Sequence, residues 1–424
     1  MRPFLAVLFL TFSATALFAQ EPALTTAPVP AEAVNVTDPA AATRAWLDTV
    51  PADKRARSDA YFEGGYWLIL WNFLLAAAIS ILLLQSRISA RLRDWAERKS
   101  RFKAVQVALY AIPYILLASL LAFPFTVYES FYREHAYEMA TQTFGAWFGE
   151  QLTGLIVSLV FGTAALIGLY AVFRRAPRTW WLWDTGVVLL FMMFGMLIGP
   201  VYIQPLFNTY KPITDPAISE PILELARAND IPVTQVYEVD ASRQTKRISA
   251  NVSGFLGTTR IALNDNLLTQ CTLPEIRHVM GHEMGHYVLN HTRTLLLLFG
   301  SFFFLSFLAA KLTFGWAVSR WGERWGVRGI ADPAGLPLLV LILAATQFVL
   351  TPFRNTTIRT IESHADMFAL NSAREPDAAA QVSLKLGAYR KLDPGPVEEF
   401  IFFDHPSGRA RIRMAMDWKA AQQE

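Results

Sequence analysis

Long uninterrupted apolar runs, separated by charged loops, set the pattern of this chain. A spanning helix needs about 20 mostly apolar residues to cross a hydrocarbon layer about 30 Å thick. Runs of this kind occupy Tyr66–Leu84, Val105–Tyr128, Leu152–Phe173, Trp180–Ile203, Leu295–Ala310 and Leu336–Phe353, and each predicts a membrane helix. Trp67, Trp71, Trp180 and Trp181 sit near run ends, where amphipathic rings favour the membrane–water interface. A further run, Phe4–Phe18, follows Arg2 and ends among small residues, so residues 1–20 read as a signal peptide or anchor helix. The Ala-, Pro- and Thr-rich stretch from about residue 20 reads as a flexible tether reaching toward residue 60.

Between the fourth and fifth of the main runs the pattern changes. Pro216–Asn229 has helical spacing, Thr234–Val239 alternates like a strand, and Ile248–Phe255 with Thr258–Leu263 flank Leu256-Gly257 as a hairpin. A helix is predicted from Leu273 through His291, and the tail beyond 354 reads as helical pieces. The expected organisation is therefore 1–20 signal or anchor, 21–60 tether, 61–204 four spans, and 205–424 a polar region with two further spans. The fold class is a mainly α integral membrane protein of about seven transmembrane helices with a small α+β region.

Composition supports this picture, with 53% hydrophobic and 17% charged residues. A net charge of +3 with no basic stripe gives no reason to expect nucleic acid as a partner. Cys271 is the only cysteine, which excludes an intramolecular disulfide and a cysteine metal cluster. Basic residues gather at 87–103, 174–178 and 311–328, whereas the 129–150 loop carries Arg133 against Glu129, Glu134, Glu138 and Glu150. Placing the basic loops in the cytoplasm puts 205–293 and the tail on the opposite, periplasmic side of a bacterial inner membrane.

The chemistry enters at His282-Glu283-Met284-Gly285-His286, an H-E-x-x-H motif. Residues four apart share a helix face, so His282 and His286 can offer imidazoles to one zinc ion, with Glu283 as general base. A third ligand is needed, and Glu362 supplies a carboxylate while leaving a fourth position for water. Asp366, four residues on, shares the face of Glu362 and can accept a hydrogen bond from a ligand imidazole. A hairpin of two membrane runs between His286 and Glu362 returns the chain to the side it left. His278 reads as packed or solvated, His291 as lying beyond the ligand turn, and His364 as structural.

Motifs well beyond the histidines carry a resemblance. Pro124-Phe125-Thr126-Val127-Tyr128, Gln142-Thr143-Phe144-Gly145, Pro205-Leu206-Phe207-Asn208, Arg247-Ile248-Ser249-Ala250-Asn251, Arg260-Ile261-Ala262-Leu263 and His405-Pro406-Ser407 with Arg411-Ile412 together resemble the CaaX prenyl protease 1 family. The resemblance covers approximately residues 60–420. It implies a seven-span helical barrel around a water-filled chamber, one zinc ion, and Glu362 as third ligand. It implies that Ala250 and Asn251 hold an extended, possibly lipidated, peptide or protein substrate by main-chain pairing. It also implies that His405 donates to the oxyanion, supported by Arg411. Ser407 and Ala410 depart from the family's proline and acidic residue, and the export-type N-terminus departs from its eukaryotic prenylated substrates. Two other readings share some of these residues: a bacterial quality-control metalloprotease cutting damaged membrane proteins, and a metal transporter with a His/Glu transit site. The motif residues fall outside the apolar runs, which counts against transport.

Overall fold

The computed structural model describes residues 21–22, 36–254 and 259–423. A two-residue strand, β1 (Glu21–Pro22), and helix α1 (Pro39–Asp48) precede α2 (Ala52–Gln85), α3 (Ile88–Lys99), α4 (Lys103–Ala136), α5 (Phe144–Arg175) and α6 (Trp180–Leu206). A small mixed region follows: β2 (Tyr210–Pro212), α7 (Pro216–Ala228), β3 (Val236–Val239), β4 (Arg247–Ile248), β5 (Ala250–Ser253), β6 (Arg260–Asn264), α8 (Asp265–Gln270) and α9 (Leu273–Val288). The chain then re-enters long helices, α10 (His291–Trp325), α11 (Leu336–Val349) and α12 (Thr351–Ala373), and closes with α13 (Pro376–Leu386), α14 (Pro396–Phe402) and α15 (Gly408–Ala421).

Helices α2, α4, α5, α6 and α10 are each long and apolar enough to cross a membrane, and α11 with α12 makes a sixth candidate bent by 57°. These six coincide with the six main apolar runs; the seventh span, expected in residues 1–20, lies outside the described residues. The sixth departs from a simple span because α11, at 14 residues, is only about 21 Å long. Pro352 lacks the N–H that would continue the helical ladder, so the axis turns there. Side chains such as Leu83, Tyr110, Leu169, Phe303 and Leu339 fill one apolar core between the spans. Large apolar residues including Trp67, Leu120, Val160 and Leu312 face outward, as a lipid environment requires.

The region read as a tether is partly a packed element. Helix α1 starts at a Pro39 whose N-cap, Asp38, accepts from the Ala40 and Ala41 amides. Trp46, Leu47 and Val50 bury against Ile412, Ala415 and Met416 of α15, so the chain from residue 36 is anchored. Composition suggested a linker there, but the apolar spacing Ala42, Trp46, Val50 gives the helix a face to bury. At the opposite end of the bundle the basic loops meet one another. Arg93 pairs with Asp332, and Arg328 reaches Glu97 at 2.9 Å.

The sheet runs in the order β2-β3-β6-β5, antiparallel except for the parallel β3–β6 pair. The predicted hairpin is present as β5 and β6, in the register Asn251↔Ala262, while its tip at 255–258 lies outside the described residues. Among the described strands, β5 pairs only with β6, and β4 takes β1 as an antiparallel partner. Ile276, Met280 and Met284, four residues apart, put one face of α9 against Ile222, Val236, Ile261 and Leu263. The opposite face is left to carry the polar side chains.

Candidate metal centre

The capping box of Thr272 and Glu275 fixes the start of α9. Four residues further in from His278 and again from His282, the helix presents His282 and His286 on one face. Their rings sit 4.7 Å apart. What brings Glu362 to them is a close crossing of α9 and α12. A Cβ at Gly281 would fall 3.1 Å from the Ala369 Cα, and one at Gly285 would fall 3.3 Å from the Ala365 Cα. Small residues four apart on both helices let the two backbones approach, so ligands 76 positions apart in the chain share one space.

His282, His286 and Glu362 each offer a ligand atom, all within 4.8 Å of one another. His282 Nε2 lies 3.1 Å from His286 Nε2 and 3.2 Å from Glu362 Oε2, and His286 Nε2 lies 3.5 Å from Glu362 Oε1. A tetrahedral ion with ligand bonds of about 2.0–2.1 Å separates its ligands by roughly 3.4 Å, so the donor set fits a small divalent cation. Glu362 Oε2 is buried, with His282 Nε2 at 3.2 Å and His405 Nε2 at 3.3 Å around it, a carboxylate oxygen that suits a cation. Burial disfavours charge on His282, yet hydrogen bonds to Asp366 and Glu362 hold its imidazole up at about 10. The carboxylates thus demand positive charge at this point, and a metal ion meets that demand.

The surrounding side chains orient the ligands. His282 Nδ1 lies 2.8 Å from Asp366 Oδ1, so a proton on Nδ1 leaves the Nε2 lone pair directed into the site. His286 Nδ1 lies 2.8 Å from His291 Nδ1, which serves the second ligand in the same way. Here the structure corrects the sequence reading. The helix does not continue to His291: α9 ends at Val288, Asn290 adopts a left-handed φ of 55°, and α10 begins at His291. That break swings the His291 ring back onto His286. Replacing His291 with Ala is expected to weaken metal binding by about 10- to 100-fold, measured by competition with a chromophoric chelator. Affinity unchanged within twofold would show that His291 does not orient His286.

Glu283 lines the same cleft, and burial, aided by the nearby Glu362, pushes its carboxyl up to about 8 against the pull of His282. His278 also lines it and is held neutral, its pKa lowered to about 4 by burial. From the tail, His405 Nε2 comes within 3.3 Å of Glu362 Oε2 while Asp404 Oδ1 holds its Nδ1 at 2.9 Å. Arg411 Nε lies 2.9 Å from Asp366 Oδ2, and its Nη2 lies 3.5 Å from Glu362 Oε2. Ser407 caps α15 through the Ala410 amide and so sets where Arg411, one turn in, can reach. Ala250 of β5 forms part of the cleft wall, but Asn251 does not; its Oδ1 instead accepts from Ser253 Oγ at 3.2 Å. Asp404 and His291 carried no sequence signal of their own. Cys271, at the foot of α9, is pushed up to about 12 by burial, an unreactive thiol rather than a nucleophile.

Comparison with known proteins agrees with this geometry. Residues 212–419 match a family model described as peptidase family M48, and residues 36–209 match one described as CAAX prenyl protease N-terminal, five membrane helices. An uncharacterized metalloprotease, YhfN, of Bacillus subtilis (strain 168) is 29% identical over 81% of this chain and 82% of its own. A CAAX prenyl protease 1 homolog of Oryza sativa subsp. japonica is 26% identical over 78% of this chain and 80% of its own. In fold, the chain is similar to crystalline S. mikatae Ste24p, with a TM-score of 0.71 at 17% identity, covering 98% of this chain and all of that one. The chain belongs to peptidase family M48, in its CAAX prenyl protease 1 branch, and is a multi-span membrane metalloprotease acting on peptide substrates.

Proposed function

We propose that this protein is a zinc endopeptidase of a bacterial inner membrane that cuts extended peptides on the periplasmic side, lipidated ones among them. His282, His286 and Glu362 hold the ion, with Asp366 and His291 fixing the two imidazoles. The observation that carries the reading is the two-His, one-Glu cluster within 4.8 Å, with Glu283 in the same cleft. When bound there, zinc polarises the scissile carbonyl and acidifies the attacking water.

The chain's own groups do the rest. Glu283 takes the proton from the attacking water and delivers it to the leaving nitrogen; a carboxyl raised by burial is suited to holding it between the two steps. His405, steadied by Asp404, donates from Nε2 toward the developing oxyanion. Arg411 keeps Glu362 and Asp366 in place. The substrate strand lies along β5 and pairs with its main chain at Ala250 and Asn251. Two observations support that placement: the flank of β5 away from β6 has no described partner, and β4 just before it already accepts Glu21–Pro22 as a strand. The periplasmic assignment rests on the basic loops collecting at the end of the bundle away from the metal residues. The lipidated substrate is suggested by the names of the CAAX prenyl protease relatives.

The test uses purified protein in nanodiscs. It is expected to contain one zinc per chain and to cleave a farnesylated peptide with at least tenfold higher kcat/KM than the same peptide without the lipid. A preparation free of zinc, or one that cleaves neither peptide, would overturn the proposal; equal rates would remove the lipid preference alone.

A further inference from the structure

The metal cleft, about 100 Å³ in all, reaches past the ligands, and its lining changes character along the way. Around the ion site stand His282, Glu283, Glu362 and His405. Further along, the wall is Leu370 of α12, Val382 and Leu386 of α13, and Met414 of α15. Gly281 of α9 meets Ala369 of α12 while Gly285 meets Ala365, so the two helices cross in opposite directions. Stepping back one turn along α9 from His282 therefore leads toward Leu370, at the apolar end.

The residue at that step is His278, which lines the cleft and is 8% exposed. Its Nδ1 is covered and has no hydrogen-bond partner, and its Nε2 likewise has none among the described residues. Asp366, the carboxylate that acts on it, is already bonded to His282 and Arg411. Ser383, on the same wall, has turned its hydroxyl onto the Ala379 carbonyl at 2.8 Å. Burial holds the His278 ring neutral, so it carries one N–H and one bare nitrogen. A polar ring kept among apolar side chains without a partner is costly, and an apolar residue would fill the space at no such cost. With Nδ1 covered, Nε2 is the nitrogen left to meet whatever enters the cleft.

The position and the surroundings say what that is. One turn of four residues is about 6 Å, and an extended peptide advances about 3.3 Å per residue. A group meeting His278 thus belongs to a residue one or two places from the bond cut at the metal. A carboxylate there would need the charged ring that burial opposes. An amide would leave one of its own polar atoms against Leu370 or Val382. A hydroxyl is a single group that donates to a bare nitrogen or accepts from an N–H, and it asks nothing of the apolar wall.

We propose that His278 is a specificity-determining residue, the polar floor of a side-chain subsite that selects serine or threonine one or two residues from the cleaved bond. The inference rests on the peptidase reading above and adds a side-chain preference to it.

The experiment uses the zinc-loaded protein in nanodiscs and quenched fluorescent peptides built on a sequence that it cleaves. Threonine and valine, equal in shape and different by one hydroxyl, are compared at each of the two positions on either side of the cut. At one of these positions the threonine peptide is expected to have a kcat/KM about 5- to 30-fold above its valine partner. His278→Leu should bring that ratio to one or below while zinc stays at one per chain. His278→Gln, which keeps a donor and an acceptor, should retain part of the preference. A merely structural role would change both members of a pair alike and leave the ratio where it was. Equal rates for threonine and valine at all four positions in the parent protein, or a preference that survives His278→Leu, overturns the proposal. A parent protein that cleaves no peptide at all overturns the peptidase reading, and this inference with it.

Discussion

Exchanging Glu283 for Gln is expected to lower kcat for peptide cleavage by about 10²- to 10⁴-fold while the zinc content stays at one per chain. The substitution keeps the volume of the side chain and removes only its capacity to carry a proton. Glu283 is not a member of the ligand cluster, which is formed by His282, His286 and Glu362. The rate and the metal should therefore separate, and that separation distinguishes a base from a ligand. Turnover of a quenched fluorescent peptide and metal analysis on the same preparation provide the check. Activity within tenfold of the parent would remove Glu283 from the proposed chemistry.

Glu362→Gln should behave in the opposite way, losing metal and stability together. Its carboxylate is 3% exposed and faces His282, His405 and Arg411 at 3.2, 3.3 and 3.5 Å. A neutral amide leaves those cationic and imidazole groups crowded around a point without compensating charge. Removing one partner from a buried charged cluster costs on the order of 3–5 kcal/mol. The variant is expected to lose stoichiometric zinc and to unfold at markedly lower denaturant concentration, even when compared with metal-stripped parent protein. A variant that retains both zinc and stability would mean that the third ligand lies elsewhere.

These expectations draw on parts of the molecule that differ in how far the sequence disclosed them. The spans, the hairpin and the histidine pair were legible because each is written in a short period: twenty apolar residues, alternation by two, or a spacing of four. Glu362 and Asp366 were legible for the same reason, once a third ligand was required. What the sequence hid depends on contacts between distant elements or on single backbone angles. The crossing that unites the ligands needs Gly281 and Gly285 to meet Ala365 and Ala369, and neither pair announces its partner. The place of His291 depends on the left-handed Asn290, a single residue that turns the end of one helix into the start of the next. Helix α1 was concealed by a composition typical of linkers, and the bend at Pro352 by hydropathy, which sees a run of apolar residues and not its direction. His405 and Arg411 became readable only through family resemblance, because they reach the site from the last part of the chain.

On the proposed placement of the substrate, the flank of β5 that has no partner among the described residues has a consequence for which proteins can be attacked. A helix has already spent its backbone donors and acceptors internally, and a strand inside a sheet has spent them on its neighbours. Neither can lie down on β5 without first coming apart. Under that placement selection would begin before any side chain is read: loose ends and unravelled segments would be eligible, while well-folded residents of the same compartment would be spared. Cleavage of an ordered target would then be paced by how often the target locally melts, and raising its stability would protect it as effectively as changing its sequence.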